Sequence, residues 1–478
     1  MSQKLPIGVK LSYSVGQIAV AAKDLLFHYY FLFFFSTVLG ISGALVGLAK
    51  LVALLVDAIT DPVMGGVSDN WRSKAFGRRH LFFIVSAAPL GVGLWFLFDP
   101  VDGLSERALV VWMFAFAVLV RTSLTLFFVP YISLNADLTD DYEERTLLST
   151  LRVFFGNIAG VIMGGVILTV YLANTADYPD GRLNPDGYAA MGHLSAIVAV
   201  LAILLCFIGT RGRIPALNNQ TDRATSVAWW RSFGEIAQAF SLSSFRGLSL
   251  GFIAFATIAG VATALAIIIL TYFWDLSQEQ IFLVFLSTGL AVIPGAIFAP
   301  IMAAMLEKRG AIVVSTVLFA VFYAAPIIGR LLGVMPENGD PALFPIVLAF
   351  NFASQIFGVC VTIIPESMMA DVASEYEKET GRRQEGVLFS AISFARKASF
   401  GVGGFVAGVG LDVIRFPKQA GQGDVADTAI HDLGLISGPV VLGLCLFALV
   451  FFVGYPITKA KHRETILILT KNRELTSE

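Results

Sequence analysis

The chain has 478 residues, of which 56% are hydrophobic and only 14% charged, with 40 phenylalanines and a net charge of −2. These proportions exclude an ordinary soluble domain and leave a polytopic membrane protein, all-α, with the bilayer as its solvent and no nucleic-acid footprint. No zinc spacing, phosphate-binding loop or nucleophile motif stands out, so no enzyme and no cofactor is expected.

Twelve apolar runs long enough to cross a bilayer follow one another. The first, 11–38, is rich in aromatics and lacks a small-residue cleavage site, so it reads as a retained span. It carries Lys23, Asp24 and His28, and its stretch from Phe27 to Phe35 reads as lipid-facing and core packing. The second, 41–68, is the most informative, because Asp57 and Asp61 stand about one helical turn apart and so share one face. A lone ionised side chain near the bilayer centre is destabilising by at least about 2.5 kcal/mol, so this pair is expected to meet water, a cation or a basic partner. An ion or proton pathway is the leading reading; buried ion pairs that only brace helices are the alternative.

The third and fourth runs cover 81–99 and 106–134, with Arg121 and Thr125 in the fourth. Arg152 lies in the fifth, 147–172, and the sixth covers 189–210. A polar linker, 211–245, follows, in which SVAWWRSFGEIAQAF has the pattern of an amphipathic surface helix anchored by Trp229 and Trp230. The remaining runs are 246–274, 280–306, 311–334, 342–370, 387–412 and 434–457, with Lys397 in the eleventh, and 458–478 is left as a tail. Placing both termini in the cytoplasm puts most of the 33 basic residues on that side, as expected of an inner (plasma) membrane protein of bacterial type. Cys206, Cys360 and Cys445 fall in different apolar runs and read as small core residues.

An internal repeat divides the chain into two six-helix halves, 1–210 and 246–457. PVMGGVSD at 62–69 matches PIMAAMLE at 300–307, and ADLTDDYEE at 136–144 matches ADVASEYEK at 370–378. The first alignment places Gly295 opposite Asp57 and Ala299 opposite Asp61, so the acid pair is confined to one half.

The G-x-x-x-D element Gly65 to Asp69, followed by Gly77, Arg78 and Arg79, resembles the loop between the second and third helices of the major facilitator superfamily. Lys23-Asp24, Asp57-x-x-x-Asp61-Pro62, Pro130, Arg152, Lys397 and the segment ASEYEKETGRRQEG together resemble the glycoside–pentoside–hexuronide:cation symporters over nearly the whole chain. That resemblance implies the major facilitator fold and uptake of a sugar or glycoside coupled to H+ or Na+ by alternating access. It implies that Asp57 and Asp61, helped by Thr60 and Thr125, hold the cation, including Na+ where that is the coupling ion. It likewise implies that Asp24 and Arg152 hold the substrate, with Lys23 beside them and Lys397 as a gate or substrate contact.

Two positions depart from the family pattern: Phe128 stands in place of a further acid, and Ile132 in place of the tryptophan on which a sugar ring stacks. Arg121 is an additional cation in the fourth span. Lys23, Lys50, Arg121 and Arg152 face only Asp24, Asp57 and Asp61 in the first half, a surplus of one positive charge that an anionic sugar or other acidic substrate would relieve. The alternative is that Lys50 or Arg121 reaches interfacial water. With Phe128 removing a ligand that Na+ would use, the residue set favours H+ and keeps Na+ as the alternative. The acids and bases Asp69, Arg78, Arg79, Asp137, Arg145, Asp371 and Glu375 are expected to form an inward gate whose salt bridges break on opening; solvated loop charge with no such role is the alternative. A cation-coupled lysolipid carrier and a transport-inactive receptor are the competing functions, and a monomer embedded in lipid is the expected state.

Overall fold

The computed structural model describes residues 5–139, 141–218, 238–381, 385–421 and 423–477. Among them there is no strand, and the chain crosses back and forth as twelve helices. The first half contains α1 (Ile7–Leu25, continued by π-helical turns to Val38), α2 (Gly43–Asn70), α3 (His80–Leu97), α4 (Glu106–Leu138), α5 (Tyr142–Val166, continued to Tyr171) and α6 (Pro185–Thr210). The second half contains α7 (Ser243–Phe273), α8 and α9 within Gln278–Leu331, α10 (Leu343–Thr380), α11 (Glu385–Val413) and α12 (Asp427–Val453). A further helix, α13 (Lys459–Ser477), follows.

The turn from α8 to α9 is made at Glu307, whose φ of 58° breaks an otherwise uninterrupted helix. Glu307 aligns with Asp69, the penultimate residue of α2, so the sequence repeat marks the same junction in both halves. Ion pairs repeat as well. Arg79 Nε lies 3.1 Å from Asp137 Oδ2 in the first half, and Lys308 Nζ lies 2.6 Å from Asp371 Oδ2 in the second, at matched acids.

The phenylalanine stretch of α1 is not lipid-facing. Phe31, Phe33, Phe34 and Phe35 are fully buried, with Phe34 stacked 4.7 Å from Tyr188 of α6 and 5.3 Å from Phe98. The π-helical turns widen α1 here and bring these rings inward. All three cysteines are buried and free.

The halves meet along α2 with α11 and along α1 with α7, and the contact is tightest at the face away from the chain termini. There a Cβ at Gly408 would come within 1.9 Å of the Gly43 carbonyl oxygen, so only glycine permits this approach. Hydrogen bonds cross the seam at the same end: Gln419 N to the Thr37 carbonyl at 2.8 Å, Lys418 Nζ to the Gly40 carbonyl at 2.8 Å, and buried Arg182 Nη1 to Thr271 Oγ1 at 3.1 Å.

Several boundaries differ from the sequence reading. ADVASEYEKET is not a loop: α10 runs through it to Gly381, which adopts the left-handed cap conformation at φ 68°. ADLTDDYEERT divides between the end of α4 and the start of α5, with Asp141 capping α5 through a bond from Glu144 N. α12 begins at Asp427, seven residues before the apolar run, where the acid suits the positive end of the helix. The tail is helical and tied to α10 through Lys461 and Glu375 at 2.5 Å. The amphipathic segment with Trp229 and Trp230 lies mostly outside the described residues, and both tryptophans do.

Candidate functional site

α2 carries Asp57 and Asp61 on the face that meets α4 and α11. Thr125 Oγ1 on α4 stands 2.9 Å from Oδ1 of Asp57 and 2.9 Å from Oδ1 of Asp61. The remaining oxygens face cations: Arg121 Nη2 is 3.4 Å from Asp57 Oδ2, and Lys397 Nζ is 3.7 Å from the same atom and in direct contact with Asp61 Oδ2. Three helices from both halves therefore converge on one acid pair. This matches the requirement that intramembrane acids find charged or polar partners.

Two of the expected site residues take partners that the sequence did not indicate. Lys397 does not stand alone as a second-half contact; it reaches across the seam and neutralises the acids, because α11 packs lengthwise on α2. Thr60 is not turned to the carboxylates, since its hydroxyl bonds back to the Asp57 carbonyl at 3.3 Å, the usual habit of a threonine within a helix. Arg121 is 3% exposed and rests over the Phe27 ring, so it does not reach interfacial water.

A second cluster lies on α1. Asp24 contacts Lys23 and lies 3.2 Å from His28 Nε2. His28 also sits edge-on to Phe400 of α11, with ring centroids 4.7 Å apart. Lys50 is only 2% exposed, which removes the interfacial reading. Its ammonium has the His28 carbonyl at 3.4 Å and the Phe400 ring at 5.4 Å, and no carboxylate partner among the described residues. Arg152, half-buried on α5, likewise has no acid partner among the described residues, and its Nε is buried without a hydrogen bond. Lys50 and Arg152 are thus two cations that the fold leaves for something else, on top of three that face acids.

The expected gate residues pair within each half. Arg78 Nη2 lies 2.9 Å from Asp137 Oδ1, and Arg79 joins Asp137 to Asp69. Arg145 donates to the Thr139 and Ala136 carbonyls at the end of α4. Asp371 pairs with Lys308, and Glu375 with Lys461 and Ser244. These contacts join elements of the same half.

Sequence reasoning missed Asp412 of α11. Its carboxylate accepts from Gly43 N and Ala44 N, both at 2.9 Å, and from the Ser42 hydroxyl, capping the start of α2 from the other half. Ser42 before a helix start was the available signal; the distant acid was not. Among the described residues no cluster of three or more His, Cys, Asp or Glu gathers as a metal site.

The chain is similar to an isoprimeverose transporter of Lactiplantibacillus pentosus, 25% identical over 94% of this chain and 89% of that one. It is 22% identical to a lactose permease of Leuconostoc lactis over 90% of this chain and 66% of that one. A sodium-dependent lysophosphatidylcholine symporter of Danio rerio is 23% identical over 87% of this chain and 81% of that one. Among solved structures, a D-xylose–proton symporter superposes with a TM-score of 0.66 at 11% identity, covering 95% of this chain and 99% of that one, which shows the shared fold. The family described as MFS/sugar transport protein matches residues 12–459, and with these relatives the chain belongs to the glycoside–pentoside–hexuronide:cation symporters of the major facilitator superfamily, which are membrane transporters and not enzymes.

Proposed function

We propose that the protein is a secondary active transporter that carries an acidic sugar derivative together with a cation by alternating access. The observation that carries this reading is the seam-crossing cluster of Asp57, Asp61, Thr125 and Lys397, in which a coupling ion and the position of the second half act on the same carboxylates. Protonating the pair weakens its hold on Lys397, and the released α11 can move against α2. Lys50, without an acid partner among the described residues, would receive the substrate's carboxylate, with Asp24, Arg152 and Lys23 binding its hydroxyls.

The geometry favours H+ over Na+. A hydroxyl has one proton, so Thr125 donates to one carboxyl oxygen at 2.9 Å; a proton on the other carboxyl gives the second 2.9 Å contact its own donor. One charge moved through 100 mV is worth about 2.3 kcal/mol, enough for roughly 40-fold accumulation of a neutral substrate. A monoanion carried with one proton is electroneutral, and its accumulation then follows the pH gradient, about tenfold per unit.

We place the halves at 1–210 and 246–457, joined by the linker 211–245 and followed by the tail 458–478. The termini face the cytoplasm of a bacterial-type inner membrane, and a monomer is the working unit. In that orientation the sealed far face is the outer one, and the conformation is inward-facing. The lysophosphatidylcholine relative supports an amphiphile carrier as the second reading, which the five midplane cations weigh against.

The test is uptake of D-glucuronate, D-xylose and lysophosphatidylcholine into proteoliposomes, with Na+ varied at fixed pH and a pH gradient imposed at fixed Na+. Accumulation of the glucuronate on the pH gradient, insensitive to membrane potential, is the expected result. Strict Na+ dependence overturns the choice of ion, and accumulation of the lysolipid alone overturns the substrate class.

A further inference from the structure

The two halves neutralise a pair of matched acids differently. Asp137 of the first half takes two arginines, Arg78 and Arg79, both from the loop between α2 and α3. Asp371, its counterpart in the repeat, takes one fixed cation from the α8–α9 turn: the Lys308 ammonium lies 2.8 and 2.6 Å from its two oxygens. The second basic neighbour of Asp371 comes from α13, where His462 Nδ1 lies 3.4 Å from Asp371 Oδ1. A histidine thus stands where the first half keeps an arginine, and histidine is the side chain whose charge ordinarily changes near neutral pH.

The first turn of α13 ties several helix ends together. Lys461 Nζ lies 2.5 Å from Glu375 Oε1, and Lys459 N donates to Glu307 Oε2 at 3.4 Å. Thr465 and Leu469, one and two turns beyond Lys461, are buried on the same face. Glu307 is the residue at which α8 turns into α9, and Glu375 also accepts from the Ser244 hydroxyl at the start of α7. Ends of α7, α8, α9 and α10 therefore meet at α13.

The charges facing His462 come from each of these elements: Asp371 and Glu375 of α10, Glu307 at the turn, Lys308 of α9 and Lys461 of α13. The Tyr455 phenol, ahead of α13, is engaged with the Met368 carbonyl at 3.2 Å. Arg309, Lys459, Arg463 and Glu464 are exposed, where water and salt screen them. Three carboxylates against two ammonium groups leave room for one more positive charge. His462 Nδ1 is buried and makes no hydrogen bond. A neutral ring with its proton on Nε2 turns a lone pair toward the carboxylate, whereas a protonated ring offers Asp371 both an N–H and a charge.

We propose that α13 is a pH-dependent clasp on the second half. In acid, the pair of His462 with Asp371 adds to that of Lys461 with Glu375 and holds α13 against the ends of α8, α9 and α10. A carboxylate partner stabilises the protonated ring, so the clasp is strongest below the range in which His462 loses its proton and weakens as pH rises through it. With the termini placed in the cytoplasm as above, the clasp reads cytoplasmic pH and stiffens, in acid, helix ends that alternating access requires to move. Only this last consequence rests on the transport reading; the clasp itself does not.

The experiment is double electron–electron resonance on the full chain in lipid nanodiscs, with spin labels at Leu467→Cys on the exposed face of α13 and at Met305→Cys near the end of α8, positions 71% and 77% exposed. The three native cysteines are buried and leave these two as the labelled sites. Between about pH 5.5 and 8.5 the distance distribution of the parent is expected to pass from narrow to broad. His462→Gln should stay broad at both ends of that range, and His462→Arg, which carries a fixed charge, should stay narrow at both. A parent distribution that does not respond to pH overturns the clasp, and so does a response that persists unchanged in His462→Gln, which would assign the titration to another group. None of these readings requires transport, so their failure leaves the proposed function standing.

Discussion

Lys397 of α11 contacts the Asp61 carboxylate of α2, so the acid pair of the first half is held by a cation of the second. Both side chains are about a quarter exposed, which limits the energy of the pair without removing it. Asp61→Asn leaves Lys397 with only Asp57, and Lys397→Met leaves two carboxylates with Arg121 alone. A double-mutant cycle on thermal stability in detergent should return a favourable coupling of about 1–3 kcal/mol between the two positions. Additive losses within about 0.3 kcal/mol would show that the contact carries no energy across the seam.

Thr125 Oγ1 lies 2.9 Å from both Asp57 and Asp61, and its replacement separates the chemistry from the packing. Thr125→Val keeps the shape and removes the hydroxyl, whereas Thr125→Ser keeps the hydroxyl. Uptake driven by a pH gradient should fall about tenfold in the valine variant and stay near the parent in the serine variant, consistent with losing roughly one charge-assisted hydrogen bond. Asp57→Asn and Asp61→Asn should abolish accumulation while the protein still reaches the membrane. Gradient-driven uptake by either asparagine variant at the parent's rate would remove the acids from the coupling site.

The fold was legible in the sequence because bilayer-spanning runs and the repeat at 62–69 and 300–307 are signals of composition and spacing. The acid pair was legible for a related reason, since two carboxylates on one face of an apolar helix demand partners. Which partners they take was not legible. Lys397 lies 336 residues beyond Asp61, and only the packing of α11 on α2 brings them together. The partners of the charged residues were not legible either, because charge in ADLTDDYEERT and ADVASEYEKET says nothing of whether a pair forms within a half or across the seam. Lys50 and Arg121 differed for another cause: from sequence a long basic chain can snorkel, and burial alone decides that it does not.

Asp412 gives the clearest handle on the conformational equilibrium. It caps α2 from the other half through Gly43 N and Ala44 N, so separating the halves at the far face uncovers the start of that helix. Loss of a helix N-cap is worth about 0.5–2 kcal/mol, which corresponds to roughly a 2- to 30-fold shift between closed and open states. Thr37 is buried beneath the same seal and reports on it. In a Thr37→Cys background, Asp412→Ala should raise the labelling rate by a membrane-impermeant maleimide within that range, while Asp412→Asn, which retains one acceptor oxygen, should raise it less. The increase should reverse when the seam is cross-linked elsewhere at the far face. An unchanged rate in Asp412→Ala would mean that the glycine contact between Gly43 and Gly408, with the Arg182 and Gln419 bonds, closes this end without the cap.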